Sequence, residues 1–317
     1  MTLRPLVFLL PAAAVVAGLA WWLWLRPKLP DAATVAAAYA TPLAPPDRPL
    51  AVYHLGHSLV GRDMPAMLAQ LAGPGHRYQL QLGWGTSLRE HWEPDLTING
   101  FETENDTPQF RPARDAIASG DYDAVVLTEM VGLREAIRYH DSARYLEKWA
   151  DLARQASPTA RVYLYESWHP LDTPEGWLDR LDRDLAELWE NRLLLPDLAQ
   201  DRSGRPIHVI PAGQVLARFV RAVEAAGGID NIRDRTDLFA RRADGTLDQI
   251  HPNDLGNYLV ALTHYAVLYG RSPLGLPARL SRADGTAATA PGPAAARLMQ
   301  ETVWQVVTSY PKTGVAR

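Results

Sequence analysis

The stretch Leu50-Ala51-Val52-Tyr53-His54-Leu55-Gly56-His57-Ser58-Leu59 decides how the chain folds. Apolar residues bounded by Pro49 and Gly56 read as a short buried strand. Beyond it Met64, Met67, Leu68 and Leu71 recur at helical spacing until Gly73-Pro74-Gly75 stops the pattern. Ser58 is therefore expected in a strand-to-helix turn. Backbone N–H groups at a helix start are unpaired and carry partial positive charge. Such groups can hold the oxyanion that forms when a serine attacks an ester. A helix-capping serine is the alternative that this stretch alone leaves open.

The pattern repeats downstream. Tyr78–Leu82, Asp123–Thr128, Val162–Tyr165 and Ile207–Ile210 read as further short strands. Between them lie helical stripes: a short one from Pro112 to Ser119, then Tyr145, Leu146, Trp149 and Leu152, then Trp177, Leu181, Leu185 and Trp189 behind Thr173-Pro174 as cap and first turn. Val215, Leu216, Phe219 and Val220 form another stripe, and a last long helix is expected from about Asp254 to Tyr269. Residues 94–111 are polar and read as a long loop. Strands alternating with helices imply a parallel sheet covered on both faces. Five strands predict a three-layer α/β/α sandwich, flavodoxin-like in outline.

The chain has 317 residues, of which 47% are hydrophobic, enough for one large domain or two small ones. With a net charge of −4 it has no basic field to suit nucleic acid. It contains no cysteine, which excludes disulfides and thiolate chemistry. Residues 5–25 carry no charge and end in Trp21, Trp22 and Trp24. That length of helix spans roughly the ~30 Å of a hydrocarbon core, with the tryptophans as an interfacial belt. A signal peptide cleaved after Gly18-Leu19-Ala20 is the competing reading. It would leave Trp-Trp-Leu-Trp as a new terminus, so an uncleaved anchor is preferred. Arg26 and Lys28 against Arg4 and the amino terminus is too small a charge margin to orient it. The expected organisation is an anchor over 1–29, a Pro/Ala-rich tether over 30–49, a domain over 50–276, and a loop with a C-terminal helix over 277–317.

The second chemical signal is Asp248-Gln249-Ile250-His251-Pro252-Asn253-Asp254. Pro252 keeps His251 out of the helical region. Asp248 can then fold back, accept the His251 Nδ1 proton and leave Nε2 free as a base. Sites on open α/β sheets lie at the carboxyl ends of the strands. Ser58, Gly85 and the Asp248–His251 segment all fall on that rim. So do His57, Trp84, Glu129, Trp168 and His169, which are candidates for lining a substrate pocket. His54 and His57 lie three apart on a strand and point to opposite faces, so no shared metal is expected.

Gly56-His57-Ser58-Leu59, Gly85 after the second strand, and Asp248-x-x-His251-Pro252 together resemble three blocks of the SGNH (GDSL-like) hydrolase superfamily, over roughly residues 50–270. The resemblance implies Ser58 as nucleophile, His251 as general base and Asp248 as its orienting carboxylate. The N–H groups of Ser58 and Gly85 would be oxyanion donors, and no metal or organic cofactor is required. One block departs. Where the family supplies an asparagine donor after the third strand, this chain has Thr128-Glu129-Met130. Losing one such donor costs about 3–4 kcal/mol where it has been measured. The expectation is a serine esterase held at a membrane by its N-terminal helix, with its domain outside the cytoplasm. It would act on a small-molecule or polysaccharide ester such as an O-acetyl glycan. An O-acetyltransferase on envelope glycans and a non-catalytic glycan-binding protein are its rivals.

Overall fold

The computed structural model describes residues 29–316. Five parallel strands form the central sheet in the order β2-β1-β3-β4-β5. They are β1 (Ala51–His57), β2 (Arg77–Gly83), β3 (Ala124–Leu127), β4 (Arg161–Glu166) and β5 (His208–Pro211). The expected five-stranded α/β architecture is thus present. In this order the chain runs outward from β1 in both directions. The crevice between the loops after β1 and β3 is the place where such sheets accept ligands.

β1, β3 and β5 are buried along their whole length and β2 over Leu80–Gly83, as parallel strands are when helices cover both sides. On one face Val52, Val126 and Tyr163 pack with the helices Asp63–Ala72, Ala212–Ala226, Asp254–Tyr269 and Pro293–Ser309. On the other, Tyr53, Leu55, Leu127 and Leu164 pack with the helices Ala113–Ala118 and Ser142–Ala156 and with the π-helical turn Leu185–Leu194. His54 falls on the first side against His264. His57 falls on the second, bonded to Glu129.

The structure departs from the sequence expectations in several places. Ser58 lies in the turn between β1 and the helix Asp63–Ala72, as expected, but the helix begins five residues on, so the Ser58 N–H is not one of that helix's free N–H groups. The expected loop over 94–111 contains the short helix Phe101–Asn105, and Phe110 bridges to Leu80 of β2. The expected cap at Thr173 is a turn, and the helix starts at Trp177 after Gly176. The stretch expected to be a tether carries the helix Ala32–Ala38 and packs on the domain, with the buried Tyr39 donating its hydroxyl to the Ile207 carbonyl. The expected membrane span at residues 5–25 lies outside the described residues. Among the described residues, no helix is long and apolar enough to cross a membrane.

Gly56 shows how tightly β1 is fitted to β3. A Cβ there would lie 2.4 Å from the Thr128 methyl carbon. Gly56→Ala is expected to cost about 1–3 kcal/mol by overpacking, read by chemical denaturation. Thr128→Ser deletes that methyl, so the double variant should recover part of the loss. A Gly56→Ala chain as stable as the parent would contradict this fit.

Candidate active site

The Ser58 turn is built by backbone and side-chain bonds from three elements. The His57 carbonyl accepts from Val60 N–H at 2.9 Å. The Tyr165 hydroxyl of β4 donates to the Leu59 carbonyl at 3.1 Å. His57 is fully buried, and burial holds its imidazole down to about 4, so it is neutral at physiological pH. Its Nδ1 accepts from Leu59 N–H at 3.3 Å. The ring proton is therefore on Nε2, which donates to the Glu129 carbonyl at 2.8 Å. His57 does not line the pocket as expected. It ties the turn after β1 to the turn after β3.

Asp248 and His251 lie on β7 (Leu247–Pro252), which pairs with β6 (Phe239–Arg241) in a small antiparallel hairpin that the sequence did not announce. Asp248 folds back as anticipated. Its Oδ1 accepts from the N–H groups of Ile250 and His251, both at 3.0 Å. Its Oδ2 faces His251 Nδ1 at 2.9 Å. Burial alone would raise the Asp248 carboxyl, but these N–H groups and the imidazole outweigh it and hold the group below its usual value. His251 Nε2 lies 3.0 Å from Ser58 Oγ. The three residues thus form one continuous hydrogen-bonded line.

The hairpin is clamped from outside. Trp168 Nε1 donates to the Ile250 carbonyl at 2.9 Å, and Leu171 N–H donates to the Gln249 carbonyl at 2.8 Å. Asn253 caps the helix Asp254–Tyr269 through Oδ1, while its Nδ2 donates to the carbonyls of Asp237 and Phe239. Trp168 is 2% exposed, so it braces the strand that carries His251 and cannot reach substrate. His169 is also buried, and it lines a small separate cavity with Glu166 and Asp184 instead of the cleft. Burial holds its ring down to about 4.

A cleft of about 620 Å³ opens over this line, bounded by Ser58, Trp84, Gly85, Val131, Pro170 and His251 among others. Gly85 has φ +58°, a left-handed conformation that glycine adopts without strain. Neither the Ser58 nor the Gly85 N–H donates to an acceptor among the described residues. Arg62, Asp63, Glu104 and Asn257 also reach the cleft, and nothing in their spacing singled them out from sequence. The buried Asn105 is committed to β2. Its Oδ1 and Nδ2 both bond the Leu82 backbone, at 2.9 and 2.8 Å.

Glu129 is not a cleft residue either. It is fully buried. Its Oε1 accepts from Met130 N–H at 2.8 Å and from Leu88 N–H at 3.2 Å. Its second oxygen is near the buried Ser142 hydroxyl, which also favours the charged form. Burial pushes the carboxyl up to about 7 against the opposing N–H groups. Through its carbonyl Glu129 holds His57, and through its carboxyl it holds the start of the helix Leu88–Trp92. It links the turn of Ser58 to the turn of Gly85.

No protein-family model matches the chain, and no curated relative matches it. Among solved structures, a DUF4886 family protein from Bacteroides uniformis aligns with a TM-score of 0.50 at 15% identity, over 84% of this chain and 96% of that one. That likeness, with the strand order and the three blocks on one rim, decides the fold. At 15% identity this is a likeness of fold. A putative GDSL-like lipase from Parabacteroides merdae is similar at a TM-score of 0.41 and 13% identity, over 69% of this chain and 95% of that one. A carbohydrate esterase family 3 protein from Talaromyces cellulolyticus is similar at 0.33 and 15%, over 69% and 96%. Identities this low speak to the fold alone and leave the chemistry to the site.

The Glu129 brace has a measurable pH signature. Its folded value is raised from 4.5, so its contribution to stability is full below the unfolded value and is lost as pH rises through about 7. Glu129→Gln keeps the accepting oxygen and removes the titration. Wild type should therefore lose on the order of 3 kcal/mol relative to this variant between pH 4.5 and 7.5, read from urea midpoints. Glu129→Ala should destabilise by about 1–3 kcal/mol below the unfolded value of the carboxyl, because Leu88 N–H is left unpaired, and the difference from wild type should shrink as pH rises through about 7. Parallel stability curves for wild type and Glu129→Gln would rule the brace out as described.

Proposed function

We propose that this protein is a serine esterase working through an acyl-Ser58 intermediate. The observation that carries this reading is the unbroken hydrogen-bonded line from Asp248 through His251 to Ser58, open to a cleft at its serine end. His251 Nε2 takes the Ser58 proton as Oγ attacks the ester carbonyl. The carbonyl oxygen becomes an oxyanion and accepts hydrogen bonds from the Ser58 and Gly85 N–H groups. His251 then returns the proton to the departing alcohol oxygen. Water enters, gives a proton to His251 and attacks the acyl carbon, and Ser58 recovers its proton as the acid leaves. Asp248 fixes the imidazole so that Nδ1 carries its proton and Nε2 accepts one. No step calls for a metal or an organic cofactor.

Two oxyanion donors in place of three predict slower turnover than a site with an asparagine donor, because each donor is worth about 3 kcal/mol. This is also the feature that supports a transferase, since an acyl-enzyme that water attacks slowly leaves time for a sugar hydroxyl. With an anchor at residues 5–25, the chain meets the domain at the packed segment after the helix Ala32–Ala38, where Tyr39 bonds Ile207 at the amino end of β5. The site lies at the carboxyl end of the sheet, about 23 Å further along the seven-residue β1. That arrangement favours a substrate standing off the bilayer.

A fluorophosphonate probe should label the purified full chain, and Ser58→Ala should take no label. His251→Ala and Asp248→Asn should keep the fold and lower turnover of a short acyl ester by about 10³–10⁴-fold or more. A wild-type chain that takes no label and turns over no ester would end the esterase reading.

A further inference from the structure

Among the described residues, Trp84 is the one tryptophan that is exposed. It is 52% exposed, and it lines the cleft immediately before Gly85. An exposed indole is ordinarily free to change rotamer, but this one is held. Its backbone N–H donates to the Asn99 carbonyl at 2.7 Å. Its Nε1–H donates to Glu104 Oε1 at 2.7 Å. Its ring lies against the backbone of Gly100, whose φ is +69° and where a Cβ would come within 2.2 Å of the ring. One face of the indole is thus seated on glycine backbone, and the ring is fixed before any ligand arrives. Binding to a fixed ring loses little further side-chain freedom.

The surroundings narrow the ligand. Arg62 stands in the same cleft, its guanidinium committed to the carbonyls of Glu104 and Thr103. Asp63, Glu104 and Asn257 also line it. A long acyl chain would strip water from these groups without replacing it, which is costly. Carboxylates beside one committed arginine do not favour an anion. A neutral ring with an apolar face and a rim of hydroxyls suits both features. Its C–H face can lie on the indole, and its hydroxyls can bond the carboxylates and the amide.

We propose that Trp84 is the platform of a sugar subsite, and that the alcohol half of the ester is a neutral pyranose unit stacked on it while the acyl carbonyl faces Ser58. This rests on the esterase reading for the identity of the acyl half, but the sugar contact itself does not need catalysis. The test therefore begins with binding. The full chain carrying Ser58→Ala is titrated with partly O-acetylated oligosaccharides of β-1,4-linked xylose, mannose and N-acetylglucosamine, by calorimetry and by tryptophan fluorescence. At least one is expected to bind saturably. Adding Trp84→Ala should raise its Kd at least tenfold, and Trp84→Phe should recover part of the loss. In the Ser58 chain, Trp84→Ala should lower the ratio of kcat/KM for that sugar ester over p-nitrophenyl acetate by a similar factor.

Failure to bind any of the three glycans overturns the subsite, and so does an unchanged Kd in the Trp84→Ala chain. Either result leaves the esterase reading standing if the probe labels Ser58. Trp84-dependent binding by a chain that takes no label would keep the subsite and remove the esterase.

Discussion

A single hydrogen bond joins Ser58 and His251 across 193 residues of sequence. Everything else in the fold serves to make that separation vanish. Two side chains so far apart meet only if the elements carrying them are fixed independently to one frame. The frame is the parallel sheet, in which β1 is flanked by β2 and β3 and delivers Ser58 at its carboxyl end. The hairpin β6–β7 delivers His251 from the opposite side of the crevice. It is held there by Trp168 and Leu171 after β4 and by Asn253 at the start of the helix Asp254–Tyr269. A reaction that needs a proton to move over one hydrogen bond depends on all of these bonds together.

A second constraint lies beneath the cleft. His57 and Glu129 are buried and polar, yet neither faces substrate. Their bonds run from turn to turn, connecting the segments that offer the Ser58 and Gly85 N–H groups. A buried polar group is stabilising only where its partners are in place. These bonds therefore set the spacing of the two N–H donors as firmly as the packing does. In the stretch after β3 this chain turns Glu129 inward. It uses a carboxyl group as a structural acceptor.

Much of this was legible in the residues, and the reasons are physical. The strands announced themselves because parallel strands buried on both faces read as apolar runs, as Ala51–Leu55 and Ala124–Leu127 do. The Asp248–His251 pair was readable because Pro252 limits the local backbone and three residues is the right span for a carboxylate to fold back. What could not be read was direction. Trp168, His169, His57 and Glu129 all lie at the carboxyl ends of strands, but position on the rim does not say whether a side chain turns into the cleft or under it. Packing across the sheet decides that, and it sent all four under. Trp84 turned outward because Gly100, sixteen positions on, leaves room for an indole on its backbone. Arg62, Glu104 and Asn257 gave no signal for the same reason. The hairpin was missed because its first strand is three residues long and carries no alternation.

The central claim is that an acyl group resides on Ser58 during turnover. Acid quenching of the full chain within its first turnovers of a short acyl ester, followed by peptide mapping by tandem mass spectrometry, tests it most directly. The account predicts an acylated peptide with the modification on Ser58, trapped to a greater extent in the Asp248→Asn chain if deacylation is slowed more than acylation. An acyl group found on a different residue, or ester turnover with no acylated peptide at any time point, would contradict it.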